Sequence, residues 1–132
     1  MKKLISLAVL IFALASIKAT LPPPEIFDEI AAGIKSGDEK MLAKNFNSSI
    51  DLTIGTVENT YSRAQAEQVL REFFTGNKPT GFTIIHQGLS KEGAKYAIGT
   101  LTTAQGKSFR VYLYVKQVGN TYLVNELRFM QE

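Results

Sequence analysis

The chain has no cysteine, no tryptophan, a single histidine and only four prolines, three of them consecutive. Each scarcity closes a class of chemistry. Without cysteine there is no disulfide framework, no thiolate nucleophile, no zinc knuckle and no lipid-modified cysteine behind a leader. One imidazole leaves a transition-metal site short of ligands, so neither metal nor cofactor is expected. The ten glycines stand singly and never form a run ahead of a helix, which excludes a phosphate-cradling loop. No Gly-x-Ser-x-Gly nucleophile elbow occurs. What is there is an ordinary globular composition, 45 % apolar over 132 residues, enough for one domain.

The N-terminus has a composition of its own. Lys2 and Lys3 precede 14 uncharged residues, Leu4 to Ile17, that end at Lys18. A spanning helix needs about 20 apolar residues, so the run is short for an anchor and fits a secretory leader. Residues 1–19 are therefore expected to be a signal peptide, cleaved after Ala19 or, at the small-x-small step Ala13-Leu14-Ala15, after Ala15. Residues 20–24, containing Leu21-Pro22-Pro23-Pro24, form a stiff spacer. A protein so addressed is exported, to the periplasm or beyond, and meets a membrane only in transit. Three of the 15 basic residues lie in the leader, leaving 12 against 12 acidic ones. A net charge of zero removes the standing excess of Lys and Arg that nucleic acid or an anionic membrane surface requires.

From residue 25 to 132 the patterns describe a single domain. Ile26, Phe27, Ile30, Ala31 and Ile34 recur at helical spacing, stopped by Gly37. Asp38 caps a second helix carrying Met41, Leu42, Asn45 and Phe46, before a break at Asn47-Ser48-Ser49. That tripeptide matches a glycosylation acceptor, but a bacterial-style leader makes it a plain turn. Ile50, Leu52 and Ile54 alternate as a strand, Gly55-Thr56 turns, and Val57 to Tyr61 resumes extended chain. Ser62 and Gln65 form a capping box for a third helix with Ala66, Val69, Leu70, Phe73 and Phe74. From Thr80 the period is two: Phe82 to Leu89, Ala94 to Thr103, Ser108 to Gln117 and Thr121 to Met130 read as an antiparallel meander.

Turn length sets register, and register sets which side chains share a face. Two-residue loops at Gly119-Asn120 and Gln105-Gly106 pair Leu113 with Glu126, Val111 with Arg128, Thr100 with Val111 and Ile98 with Leu113. Tyr96, Thr100, Glu126 and Arg128 then join the helix-facing side. There Glu126 and Arg128 either satisfy each other at an open edge or form the polar end of a pocket, with Tyr96, Thr100 and Tyr122 as its further lining. The other side carries Tyr112 over Gly99, Tyr114 opposite Ala97, Leu127, Phe129 and Arg110. Tyr112, Tyr114, Leu127 and Phe129 suit a dimer interface, or a face merely covered by long side-chain stems. His86, the only imidazole and so the simplest general acid or base, faces Ala97 on the tyrosine side if the Lys91-Glu92 loop is even and Ile98 on the helix side if it is odd. Asp51 and Glu58 flank the first hairpin as solvated carboxylates.

The order α-α-β-β-α-β-β-β-β, with the Ser62-Arg63-Ala64-Gln65-Ala66 helix opening and the Gly119-Asn120-Thr121-Tyr122-Leu123-Val124 start of the last strand, resembles the nuclear transport factor 2-like (cystatin-like) superfamily from Pro24 to Met130. With its leader the chain looks like a group of small secreted Bacteroidetes proteins of unknown function. The resemblance implies an α+β fold in which a curved, mostly antiparallel sheet wraps three helices as a cone. Enzymatic relatives, isomerases and dehydratases, place an Asp or His with Tyr deep in the cone. The last four strands here hold no Asp.

The sequence thus leads to a non-catalytic exported domain that binds a small molecule or an exported protein partner, as a homodimer through the tyrosine face. The alternative is a cone-pocket enzyme using Glu126 or His86 as base and Tyr96 or Tyr122 as donor. An empty cavity beside Tyr96 and Thr100 supports a pocket; a cone filled by Phe73, Phe74 and Leu113 removes it.

Overall fold

The computed structural model describes residues 25–132; the signal peptide expected at 1–19 and the spacer expected at 20–24 lie outside the described residues. The chain runs α1 (Ile26–Ser36), α2 (Glu39–Ala43), β1 (Phe46–Ile54), β2 (Val57–Ser62), α3 (Arg63–Gly76), β3 (Pro79–Leu89), β4 (Lys95–Thr103), β5 (Ser108–Val118) and β6 (Thr121–Gln131). The expected element order is all present. Phe27, Ile30 and Ile34 give α1 its buried stripe. Asp38 caps α2 by accepting from the Lys40 and Met41 amides. Ser62 and Gln65 close both halves of the capping box on α3. The second helix is shorter than its apolar spacing suggests: it stops at Ala43, and Phe46 to Ser49 belong to β1.

The six strands form one curved, open sheet in the order β2-β1-β6-β5-β4-β3. Five strand pairs are formed and four are antiparallel; β1 runs parallel to β6, so the sheet is mixed. Helix α1 packs against β3, and α3 against β1 and β2. Between helices and sheet the interior is aromatic. The Phe73 ring lies 5.4 Å from Phe74, 5.2 Å from Phe109 and 4.7 Å from Phe129. With Leu113 also buried, phenylalanines fill the cone.

Register departs from expectation in two places, and each departure reverses a face. The β4–β5 loop has three residues, Ala104-Gln105-Gly106, bracketed by a Thr103 N–H to Lys107 O bond of 3.0 Å. Gly106 supplies the positive φ of 81° that the third residue of such a loop adopts. One extra residue moves Tyr96, Ile98 and Thr100 to the side away from the helices, opposite Tyr114, Tyr112 and Arg110. Ala97, Gly99 and Leu101 take the inner positions and are buried.

In the β5–β6 hairpin Val118–Thr121 and Val115–Val124 pair as the two-residue turn requires. Asn125 is then an extra residue, a β-bulge, after which Tyr114 meets Glu126, Leu113 meets Leu127, Tyr112 meets Arg128 and Val111 meets Phe129. Leu127 and Phe129 therefore lie in the core, both fully buried, and not at an interface. Glu126 and Arg128 are turned outward. Gly99 is covered by Phe82, not Tyr112: a Cβ there would stand 2.5 Å from the Phe82 ring and 2.8 Å from the Thr83 carbonyl.

An outward tyrosine groove and a groove at the cone mouth

The two one-residue shifts gather on the outer face side chains that the expected register divides between two faces. Two rows cross the sheet at right angles to the strands. One runs Tyr96, Tyr114, Glu126, Asp51 and Thr60; the next runs His86, Ile98, Tyr112, Arg128, Thr53 and Glu58. Between them lies a shallow groove of about 250 Å³, walled by Tyr96, Ile98, Tyr112, Tyr114, Glu126 and Arg128 over a floor of Ala97 and Leu113.

Its charged end is built by β6, β1 and β2. Arg128 Nε donates to Glu126 Oε1, and Arg128 Nη2 stands 3.9 Å from Glu58 on β2. Glu126 and Arg128 thus satisfy each other, at a rim open to solvent. Asp51 beside them accepts from the Thr60 hydroxyl at 2.6 Å. Thr53, between Arg128 and Glu58 in the register, is only 7 % exposed, and its hydroxyl has no partner. Glu58 is the rim residue that sequence reasoning left in solvent; its pairing follows from the parallel β1–β6 alignment.

His86 sits opposite Ile98, as the odd three-residue turn Lys91–Gly93 requires. Because Ile98 faces outward, His86 does too. Its Nε2 is 2.9 Å from the Tyr96 hydroxyl, and Tyr96 in turn crosses Gly88, where a Cβ would come within 2.8 Å of that hydroxyl. Thr100 is on the same outer side, one row further along beside Arg110, which pairs with Glu132 at 3.1 Å. So Tyr96, Thr100, Glu126 and Arg128 line no interior pocket. They share the outer face with Tyr112 and Tyr114.

Tyr122 stands apart from them. It is half-buried at the mouth of the cone, with Lys95 Nζ 4.4 Å from its ring centroid. A second groove of about 600 Å³ opens there, between the first residues of α1, the end of β3 and the β5–β6 turn. Among the described residues no group of three or more His, Asp or Glu side chains is placed to hold a metal ion. Chemically, the outer groove offers flat aromatic and aliphatic surface, phenolic hydroxyls and a neutralised guanidinium. These are means of recognition.

Three helices held against a curved six-stranded sheet of this order define a nuclear transport factor 2-like fold. Structures of that class align with the chain. A protein of unknown function from Shewanella baltica matches at 14 % identity over 80 % of this chain and 87 % of that one, TM-score 0.63. A Xanthomonas campestris protein described as a calcium/calmodulin dependent protein kinase II association domain matches at 20 % identity over 86 % and 93 %, TM-score 0.61. Within that class the assignment is narrower. Residues 27–130 match the family described as Domain of unknown function (DUF4783), and the chain belongs to it. Family members of known structure include one from Bacteroides ovatus, 31 % identical over 79 % of this chain and 93 % of that one, TM-score 0.74. Another, from Bacteroides fragilis, is 31 % identical over 83 % and 100 %, with the same TM-score of 0.74. No curated protein matches the chain.

Proposed function

We propose that this protein is an exported, non-catalytic binding domain that pairs with a second copy of itself through the outer face of its sheet. The observation that carries the reading is the tyrosine groove: the sheet's inner face is spent on a phenylalanine-filled core, yet its outer face still presents Tyr96, Ile98, Tyr112 and Tyr114, with Tyr112 41 % exposed. Tyrosine suits a recognition surface, since it brings a large rigid contact area with few rotors to fix. A groove of about 250 Å³ is smaller than the roughly 300–1,000 Å³ of small-molecule sites and lies open along one side, which favours a broad protein partner over an enclosed ligand.

Electrostatics permits the pairing. With the leader removed the chain is neutral, so two copies approach without net repulsion. The Arg128, Glu126 and Glu58 cluster supplies the polar rim that surrounds an apolar interface centre. The association domain among the fold neighbours is in keeping with this use of the architecture. Export rests on the leader's short apolar run and lysine flanks.

Light scattering on the chain beginning at Thr20 tests the pairing. Wild-type protein is expected at twice the chain mass and Tyr112→Glu at the chain mass, with unchanged circular dichroism. A monomeric wild type, or a variant of unaltered mass, would end the proposal.

A further inference from the structure

We infer that the groove between α2 and the start of α3 is a binding site for the phosphoryl group of a phosphate monoester. It lies on the helix side of the sheet and does not rest on pairing through the outer face.

The groove, of about 540 Å³, has Lys40, Ala43 and Lys44 on one wall and Arg63, Ala64 and Glu67 on the other. Three cations against one carboxylate leave a local surplus of two positive charges, although the domain is neutral as a whole. A phosphate monoester carries about −1.5 to −2 at neutral pH, which matches that surplus.

No neighbouring acid relieves it. Glu39 is held by Arg71 at 3.0 Å, and Asp38 caps α2 by accepting from the Lys40 and Met41 amides. Among the described residues neither Lys40 nor Lys44 has an ion pair. The placement of the cations also works against stability. Lys40 and Lys44 are like charges four residues apart, and Arg63 opens α3, whose first turn holds no acid to balance the positive end of the helix dipole. Local rules are broken in this way at functional sites.

Arg63 is already held in position. Its Nε donates to the Phe46 carbonyl at 3.1 Å, which leaves both Nη groups, unpartnered among the described residues, to donate to two oxygens of one phosphoryl group. Lys40 and Lys44 add point charges. With only Ala43 and Ala64 as floor the groove is open, so it holds the phosphoryl group and leaves the rest of the ester in solvent.

The test titrates inorganic phosphate at neutral pH into the isotope-labelled chain beginning at Thr20, with ionic strength held by sodium chloride, and follows amide chemical shifts. Saturable shifts are expected at residues 40–44 and 63–67, and none there with acetate. The double substitution Lys40→Gln, Lys44→Gln removes no side-chain hydrogen bond or ion pair of the fold and is expected to weaken phosphate about tenfold. Arg63→Lys, which keeps the charge and loses the fork, is expected to weaken it about fivefold. A wild-type titration that does not saturate, an equal response to acetate, or unchanged affinity in the lysine double variant overturns the inference. Vesicles of phosphatidylcholine with and without phosphatidic acid distinguish the sources of the ester. Once phosphate binding is shown, sedimentation with the phosphatidic acid vesicles that phosphate reverses supports a lipid source, and a chain left in solution supports a soluble one. Tyr112→Glu, which tests the outer face, is expected to leave the titration unchanged, so the two proposals fail separately.

Discussion

Thr53 shows what the outer rim costs. Its position on β1 faces the polar side of the sheet, yet it is buried between the Arg128 and Glu58 positions with its hydroxyl unpartnered. An unsatisfied buried hydroxyl costs about 1–3 kcal/mol, and valine has nearly the same shape with better strand propensity. Thr53→Val is therefore expected to raise stability by about 1 kcal/mol, read as a higher urea midpoint with unchanged slope. A loss of stability would mean that the hydroxyl is satisfied by solvent after all.

Glu39 gives the second residue-scale prediction. Its carboxyl is held below the ordinary value of 4.5, first by backbone hydrogen bonding at the start of α2 and then by the Arg71 guanidinium of α3, 3.0 Å away. A depressed carboxylate stabilises the fold fully above its unfolded value and loses that contribution as pH falls through the lower folded one. Wild type should accordingly exceed Glu39→Gln in urea midpoint near neutral pH, and the gap should close well below pH 4.5. A gap independent of pH would remove the charge from the explanation.

At the scale of elements, the fold was legible and the faces were not. Helical and two-residue periodicities located every helix and strand, because burial of one face writes itself into composition. Parity is different: the same Gln105-Gly106 stretch can close a loop of two residues or of three, yet the two loops send Tyr96 to opposite sides. The inner row of β4 also hides itself. Ala97 and Gly99 are small because Phe82 needs the space, so the larger Tyr96 and Ile98 look like core from sequence alone. The bulge did leave a trace. Tyr122 and Val124 keep one phase of alternation, whereas Leu127 and Phe129 keep the other, and the slip falls at Asn125. That residue also accepts from Asn47 Nδ2 at 3.0 Å, tying the bulge to β1. Deleting Asn125 would restore simple alternation and drive Glu126 and Arg128 into the phenylalanine core. The expected result is a chain without cooperative unfolding by circular dichroism; a folded, cooperative deletion variant would show that the bulge does not set the faces.

For the molecule as a whole, the candidate site was half visible. Tyr112 and Tyr114 were already grouped on one face, whereas the facing of His86 hung on the parity of the Lys91-Glu92 loop, and the odd loop sets it opposite Ile98 on the outer side rather than the helix side. What gathers Tyr96, Glu126, Arg128 and Glu58 with them is the combination of two register shifts and the parallel β1–β6 alignment, which is a long-range fact with no local signature. The filled interior follows from residues that were recognised as apolar; that they meet one another rather than line a cavity depends on the curvature of the sheet.

The strand order has a consequence in time. The first hairpin, β1 with β2, joins the meander only through β6, the last strand of the chain. Phe129, in that last strand, packs on the Phe73 ring of α3, so neither sheet nor core is complete until the C-terminal residues arrive. Contacts so distant in sequence carry a large loop-closure cost and slow the final step of folding. If the chain is exported as proposed, N-terminus first, it would stay open throughout its passage and close once, at release, when its final strand slides between two halves that have been waiting for it.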